Sequence, residues 1–213
     1  EDEHNVTLTK GFYLGKYEVT QAQYEAVMTG NTDSLSATPS EWPNNPNRPV
    51  EKVSWADAQI FLTRLNAQQS ANIPAGWAYV LPTESQWEYA CRAGTTTAYS
   101  WGDTIIAANA NWNHGADPNR TVDAGQSSVN PWGFFDMHGN VWEWTADAYQ
   151  ASYPTNNPVM DPYIPNITSV FIGVVRGGSW HDGGSALRSA KRYKNSSDRR
   201  TNHHGFRVGF QQQ

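Results

Sequence analysis

The sequence predicts an α+β fold in which regular elements are few and irregular backbone forms the majority. Ser54 with Asp57, and Thr83 with Gln86, have the spacing of capping boxes, which open helices. Gly, Asn and Asp recur through residues 98–141, where apolar runs are rare. Irregular regions of that length inside a domain are usually functional or stabilised by ions. For the regular elements, we expect two main helices early in the chain and a small sheet assembled from strands that are distant in sequence.

The N-terminal fifth contains a strand, a helix and a loop. Residues 11–19 alternate in polarity, which predicts a strand with a bend at Gly15. Thr20 is a suitable N-cap for a short helix that ends near Met28. Residues 29–50 contain four prolines among Gly, Asn and Ser, so we expect a loop there.

The two main helices follow that loop. The helix that Ser54 caps should end near Gln69, and its candidate core residues are Trp55, Phe61, Leu62 and Leu65. A short strand over residues 78–81 leads to the second helix. The residues of this helix that we expect to face inward are Trp87, Ala90 and Cys91.

Composition indicates a single domain over residues 1–213, since no linker-like run divides the chain. Hydrophobic residues make up 38% and charged residues 16%, both low for a globular chain. Ten Trp and ten Tyr compensate for the low hydrophobic content, because each aromatic ring buries a large area.

The only cysteine, Cys91, excludes an intrachain disulfide. We expect no membrane span, since no apolar run approaches the roughly 18 residues required. The first ten residues do not resemble a signal peptide, so a cell-surface or secreted location would require a targeting segment outside this sequence.

The C-terminal stretch, residues 174–210, organises the chain. Its ends, VVRGGSW and GFRVGF, have the β-branched, aromatic and Gly residues of buried strands, whereas the middle is polar. A polar segment held between rigid strands is typical of a binding surface. We call residues 176–208 the display segment.

Charge is concentrated in the display segment. Residues 176–207 contain eight basic and two acidic side chains, a net +6, whereas the whole chain carries −5. A basic face favours anionic partners. We expect Arg176, Arg188 and Arg207 to pair internally, which would leave a modest basic face. No nucleic-acid-binding motif accompanies these residues, so we expect no nucleic-acid partner.

Several ordered motifs carry a resemblance to a known family. LPTESQWEYACRAG, NPWGFFDMHGNVWEWTAD, RGGSW and GFRVGF together resemble the formylglycine-generating-enzyme, or sulfatase-modifying-factor, family. The resemblance covers nearly the whole chain and implies a C-type-lectin-like fold elaborated as in that family. In this fold the N- and C-terminal strands lie together in one small sheet.

The family's enzymes oxidise a sulfatase cysteine to formylglycine with a copper-binding cysteine pair, placed shortly after the GGS-aromatic motif. Residues 181–187 occupy that place here and contain no cysteine, so we expect neither copper nor catalysis. Cys91 matches a structural cysteine of the family, but Val208 stands where its partner would be, which predicts a buried free thiol. A divergent oxidoreductase acting on a protein cysteine, and a carbohydrate-binding module, remain the alternatives.

The display segment further resembles that of the variable proteins of diversity-generating retroelements. That resemblance implies a macromolecular ligand, a protein or a surface glycan. The predicted ligand-binding residues are His181, Asp182, Tyr193, Lys194, Asn195, Ser197, Asp198, Arg199, Arg200, Thr201, His203 and His204. We expect Tyr193, Arg199 and Arg200 to be the anchors, because Tyr and Arg are over-represented among residues that dominate binding. His203 and His204 are adjacent, so they should face opposite sides and make poor joint metal ligands.

The family resemblance also implies structural calcium in the irregular half, since calcium prefers oxygen ligands. The ligands implied for the first site are Asp136, Gly139, Val141 and Glu143, the two middle residues through backbone oxygens. Those implied for the second site are Asn111, Trp112, Asp117 and Asn119. The alternative for the Asp and Asn side chains is the capping of loops through Asx-turns.

Overall fold

The computed structural model describes residues 3–115, 119–153 and 158–213. In this part of the chain three α-helices form: α1 (Gln21–Met28), α2 (Trp55–Gln68) and α3 (Glu84–Arg92). The N-cap side chains of Thr20, Ser54 and Thr83 each accept a hydrogen bond from the third helical amide. The side chain of that third residue bonds back to the N-cap amide, so all three helices begin with a capping box. The helices predicted from the sequence are confirmed.

Within the described residues, the strands form three small sheets. The first pairs β1 (Val6–Thr7) in parallel with β5 (Val159–Met160). The second has the order β2 (Phe12–Leu14), β9 (Gly209–Gln212), β3 (Trp77–Val80). The third has the order β7 (Arg192–Ser196), β6 (Ile172–Arg176), β4 (Trp142–Ala148), β8 (His204–Gly205). Because β9 lies between β2 and β3, the expected meeting of the N- and C-terminal strands is confirmed.

The main hydrophobic core joins the first two helices to the C-terminal motif. Tyr24 of α1 stacks on Phe61 of α2, with ring centroids 5.4 Å apart. Phe206 of the GFR motif packs edge-on against both rings, at 6.4 and 5.2 Å. Of the core residues predicted on α2, Phe61 and Leu62 are buried, whereas Trp55 and Leu65 are half-buried and pack against the same cluster. The last strands are therefore fixed by packing on the first helices.

The inward face of α3 forms a second, smaller core. Trp87, Ala90 and Cys91 are buried there with Met137. The prediction that Cys91 is buried is confirmed. In the ranges described, no helix is both long enough and apolar enough to cross a membrane.

Two glycines follow the first residue of the display segment. Gly177 and Gly178 have φ of +94° and +76°, a region that side chains strongly disfavour. A Cβ added to Gly178 would lie 2.7 Å from Cδ1 of Leu187. Leu187 is the buried end of a short 3-10 helix, Gly184–Leu187. The RGGSW motif therefore turns the chain sharply and fits it against this helix.

Candidate ligand-binding surface

Buried ion pairs hold the frame of the display segment. The Arg207 guanidinium donates to both carboxylate oxygens of Glu143, at 2.6 Å each, and neither side chain is exposed. Arg207 also donates to the backbone oxygens of Gly15 and Phe135, at 3.0 Å each. One guanidinium thus joins the C-terminal motif to β4, to the N-terminal strand region and to the irregular half.

Two further arginines attach the four-stranded sheet to α3. Arg176 of β6 pairs with Glu88 and lies 3.6 Å from a Glu84 oxygen. Arg192 of β7 donates to both Glu84 oxygens, at 2.6 and 2.7 Å. The internal pairing expected of Arg176 and Arg207 is confirmed. These residues add no charge to the surface, so the basic face of the display segment is smaller than the sequence charge suggests.

Several predicted ligand-binding residues meet around Trp142, which is itself buried. The Tyr193 ring centroid lies 5.4 Å from that of Trp142. Asp182 accepts hydrogen bonds from Trp142 Nε1, at 2.8 Å, and from the hydroxyl of Ser179. The ring of His181 stacks on that of His203, with centroids 5.8 Å apart. Aromatic rings and fixed polar groups thus lie side by side, an arrangement suited to binding.

The exposed part of this surface is polar and carries three basic side chains against one acidic side chain. Residues with high solvent exposure are His181, Tyr193, Lys194, Asp198, Arg199 and Arg200. Tyr193 is 50% exposed although it is a large aromatic residue. Asp182, Asn195, Thr201 and His203 are half-buried between these residues. We define the display surface as the ten residues of these two groups.

The predicted surface is corrected at Ser197 and His204, which are buried. The Ser197 hydroxyl accepts a hydrogen bond from the Phe171 amide at 3.1 Å. His204 stacks on Trp144, with centroids 5.4 Å apart, because β8 pairs with the buried strand β4. Burial lowers the pKa of His204 to about 3, with smaller contributions from neighbouring cations. Ser197 and His204 therefore attach the display segment to the buried interior of the domain.

Arg200 has a structural contact that the sequence did not predict. Its guanidinium donates to both carboxylate oxygens of Asp57, at 2.6 Å each, although the Arg200 side chain remains 48% exposed. Asp57 belongs to the capping box of α2. The adjoining Thr201 carbonyl accepts from the Lys52 amide at 2.9 Å. Arg200 therefore attaches the display segment to α2, and because its charge is already paired, its role as a ligand anchor stays a prediction.

Two tryptophans next to the display surface were not predicted as site residues. Trp180 donates from Nε1 to the Asn202 carbonyl at 3.0 Å, and its ring packs edge-on against that of Trp42 at 5.3 Å. Trp42 comes from the proline-rich loop, where no periodicity indicates its position. The nearby amide of Glu41 donates to Oε1 of the buried Glu51 at 2.7 Å. A loop distant in sequence therefore borders the surface.

The first implied calcium site lies in a buried acidic cluster. Asp136 accepts through Oδ2 from the Gly125 amide at 2.5 Å, and its Oδ1 is buried without a hydrogen-bond partner. Glu143 is paired with Arg207 as described. The Val141 amide donates to Glu18, a buried carboxyl that the sequence analysis did not single out. Burial raises the pKa of Glu18 well above its usual value, and the charges of Asp136 and Glu143 raise it further.

This cluster contains three carboxyl groups against one guanidinium. The unpartnered Asp136 oxygen and the excess of negative charge fit a bound cation, whereas Glu143 is already neutralised by Arg207. No group of three or more His, Cys, Asp or Glu residues with metal-binding geometry occurs among the described residues. Calcium at this site stays a prediction, and Asp136 is the residue on which to test it.

The second implied calcium site is only partly described. Asn111 donates from its amide group to the Arg120 carbonyl at 2.9 Å and to Asn140 Oδ1 at 3.1 Å. The side chain of Asn111 thus joins two parts of the irregular region, and its role as a calcium ligand stays a prediction. Trp112 packs with the small apolar cluster around Leu187. Asn119 is exposed, and Asp117 lies outside the described residues.

Cys91 has the surroundings of a structural thiol. Its Sγ lies 3.6 Å from the Met137 carbonyl oxygen and 3.5 Å from Nε2 of the buried His138. Burial raises the pKa of the Cys91 thiol to about 12 and lowers that of His138 to about 4. Since the thiolate is the nucleophile and metal ligand, the thiol has little reactivity at neutral pH.

The helices, the three small sheets and the long irregular region define a C-type-lectin-like domain of the elaborated α+β type. The described structure superposes on Treponema denticola variable protein 1 with a TM-score of 0.77 at 24% identity, covering 97% of this chain and 86% of that one. It superposes on PvdO from Pseudomonas aeruginosa with a TM-score of 0.81 at 25% identity, covering 97% and 82%.

Sequence comparison gives the family. The model of the "Sulfatase-modifying factor enzyme 1-like domain" family matches residues 1–211, so the chain belongs to this family. The formylglycine-generating enzyme of Streptomyces coelicolor is 34% identical over 79% of this chain and 54% of its own length. The inactive C-alpha-formylglycine-generating enzyme 2 of Bos taurus is 32% identical over 75% and 49%. The chain spans about half the length of these curated relatives, one of which is named as an enzyme and the other as inactive.

Proposed function

We propose that this domain is a non-catalytic binding protein that presents the display surface to a macromolecular ligand, a protein or a surface glycan. In the finer form of the proposal, it is a variable protein of a diversity-generating retroelement. The observation that carries the proposal is the contrast within one segment. Arg176, Arg192 and Arg207 are committed to internal ion pairs, whereas the side chains between them include an exposed polar and aromatic set.

The display surface has the composition of a protein-binding site. Tyr193 supplies a large exposed ring, and Arg199 and Lys194 supply exposed charge. The Lys194 ammonium lies 4.8 Å from the ring centroid of Tyr149, which orients it. Aromatic and Arg residues dominate binding energy at most interfaces, so Tyr193 and Arg199 are the anchors that we propose.

Non-catalytic function is supported by the cysteine content of the chain. The resemblance places the copper-binding pair of the enzymes within residues 181–187, and His181 and Asp182 of the display surface lie in that stretch. The single thiol of the chain is Cys91, which is buried against Met137 and His138. A pair of thiolates for a soft metal therefore has no source within this sequence.

The proposal is tested with a surface-display library. Residues 181, 193, 194, 198, 199 and 203 are randomised together, while the buried and ion-paired residues are kept. The library is then selected on one folded bait protein, such as hen lysozyme. We expect most members to fold and some to bind the bait specifically. A matched library that randomises buried residues, including Ser197 and His204, should yield few folded members.

Two outcomes would contradict the proposal. One is loss of folding in most members of the first library, which would make the display surface part of the core. The other is catalysis: the purified domain, loaded with Cu(I) under air, converts a cysteine-containing peptide to its formylglycine form. The product is detected by mass spectrometry and by reaction of the aldehyde with a hydrazide.

A further inference from the structure

A groove with a volume of about 870 Å³ lies between α3 and the N-terminal strand region. Its described lining includes Leu8, Phe12, Tyr89 and Trp132, and it contains none of the residues of the display surface. Small-molecule sites typically have volumes of about 300–1,000 Å³ and combine aromatic walls with a few placed polar groups. The groove has the size and the composition of such a site.

Exposed aromatic rings line part of the groove. Tyr89 is 54% exposed and Trp132 is 47% exposed, although both are large aromatic residues. Their ring centroids lie 4.8 Å apart in an edge-on arrangement, and the Phe12 ring lies 6.5 Å from that of Tyr89. Aromatic faces carry partial negative charge, which attracts the polarised C–H groups of a ligand. The three rings are inclined to one another by 59–65°, so they form an aromatic wall that can contact the C–H groups of a ligand from more than one side.

The charged residues that α3 contributes to the groove are already paired, and the two that the N-terminal segment contributes, Glu3 and Lys10, bear opposite charges. Arg92 Nε lies 2.8 Å from Glu88 Oε1, and Glu84 accepts both of its hydrogen bonds from Arg192. A ligand with a strong charge would therefore find no uncompensated partner in these residues. The polar residues Thr95 and Thr96 also line the groove. A wholly apolar ligand would desolvate these polar groups without replacing their hydrogen bonds, which is costly.

We infer that the groove binds a neutral oligosaccharide. Such a ligand offers apolar C–H faces to Phe12, Tyr89 and Trp132. It also offers hydroxyl groups, each a donor and an acceptor, to the carboxylate, guanidinium and hydroxyl groups of the polar lining. Its lack of charge matches the paired state of Glu84 and Glu88. The inference is independent of the display surface, because the two sets of residues do not overlap.

The test is isothermal titration of the purified domain with four neutral hexasaccharides: cellohexaose, xylohexaose, maltohexaose and chitohexaose. We expect at least one to bind, and Trp132→Ala and Tyr89→Ala each to weaken that binding by about tenfold or more. Tyr89→Phe keeps the ring, so it should retain the affinity within about twofold. Two controls should leave binding unchanged: Tyr13→Ala, which removes a 67% exposed ring outside the groove, and Tyr193→Ala on the display surface.

Failure of the inference is distinguishable from failure of the display proposal. If none of the hexasaccharides binds at concentrations up to about 1 mM, the groove is not a saccharide site. If a sugar binds but Trp132→Ala and Tyr89→Ala leave its affinity unchanged, its site lies elsewhere and the inference is overturned. If Tyr193→Ala abolishes sugar binding, the sugar occupies the display surface, which also overturns the assignment to this groove. Circular dichroism of each variant establishes that the fold is kept.

Discussion

Arg207 holds both oxygens of Glu143 in an ion pair that is closed to solvent, although the two residues are 64 positions apart. The pair joins the C-terminal end of the display segment to β4, so it fixes one end of the segment. Trp87 Nε1 also donates to Glu143, at 2.7 Å, which adds α3 to the same contact. The carboxylate is therefore the point at which three parts of the chain meet.

We predict that Arg207→Met destabilises the protein by roughly 3–5 kcal/mol, because a buried carboxylate loses its partner. Glu143→Gln should act in the same direction, since it leaves the guanidinium uncompensated. Chemical denaturation in urea measures both effects. The double variant Arg207→Met/Glu143→Gln should cost less than the two single changes added together, since neither charge remains. Additive losses would show that the pair is not coupled.

Glu51 makes stability depend on pH. Burial raises its pKa from 4.5 to about 7, and the hydrogen bonds from the Glu41 and Trp42 amides only partly offset this. Because the folded pKa lies above the unfolded pKa, folding favours the protonated form. The contribution of Glu51 to stability is therefore fully present below about pH 4.5 and is lost as pH rises through about 7.

Glu51→Gln should flatten this dependence. The unfolding free energy of the wild type, relative to the variant, should fall between about pH 4.5 and 7. Glu41→Gln is the matched control, since its carboxylate is partly exposed and pairs with Lys52 at 2.8 Å. A wild-type and a Glu51→Gln curve that remain parallel over this range would contradict the raised pKa.

Cys91 should react slowly with thiol reagents in the native protein, because its thiol is buried and its pKa is raised to about 12. The measurement is labelling with a chromogenic disulfide at neutral pH, with and without denaturant. Lys194→Cys provides an exposed thiol in the same protein as a positive control. Rapid stoichiometric labelling of native Cys91 would disprove the burial.

Calcium should stabilise the fold through Asp136. A ligand that binds only the native state adds about 2.7 kcal/mol at one hundred times its dissociation constant, so chelation should lower the melting temperature. Asp136→Asn should reduce this calcium effect, whereas Asp198→Asn, which changes an exposed carboxylate of the display surface, should not. An unchanged melting temperature in excess chelator, with no calcium in elemental analysis, would rule out the prediction.

Local sequence signals were sufficient for the helices. The residues of each capping box lie within three positions of each other, so Ser54–Asp57 and Thr83–Gln86 could be recognised without the fold. The family resemblance supplied the arrangement of the C-terminal strands. Composition alone showed only that the middle of the display segment is polar.

Contacts between distant residues explain what the sequence did not predict. Arg200 and Asp57 are 143 positions apart, and nothing in the polar run around Arg200 distinguishes it from Arg199. His204 is buried because β8 pairs in parallel with β4, a pairing without a local signal. Trp42 borders the display surface through its contact with Trp180, from a loop that is far away in the sequence. Glu18 was overlooked because its partners, Asn140 and Val141, lie more than one hundred residues later.

The separation of an exposed display surface from a buried frame is the central claim. It is tested most directly by comparing the melting temperatures of two matched double variants within the display segment. The first, Tyr193→Ser/Arg199→Ser, changes exposed residues, and we expect a loss of stability within about 0.5 kcal/mol for each position. The second, Ser197→Tyr/His204→Asp, inserts a large side chain and a charge into buried positions, and we expect it to unfold or melt far lower. Collapse of the first variant, or equal stability of both, would contradict the account.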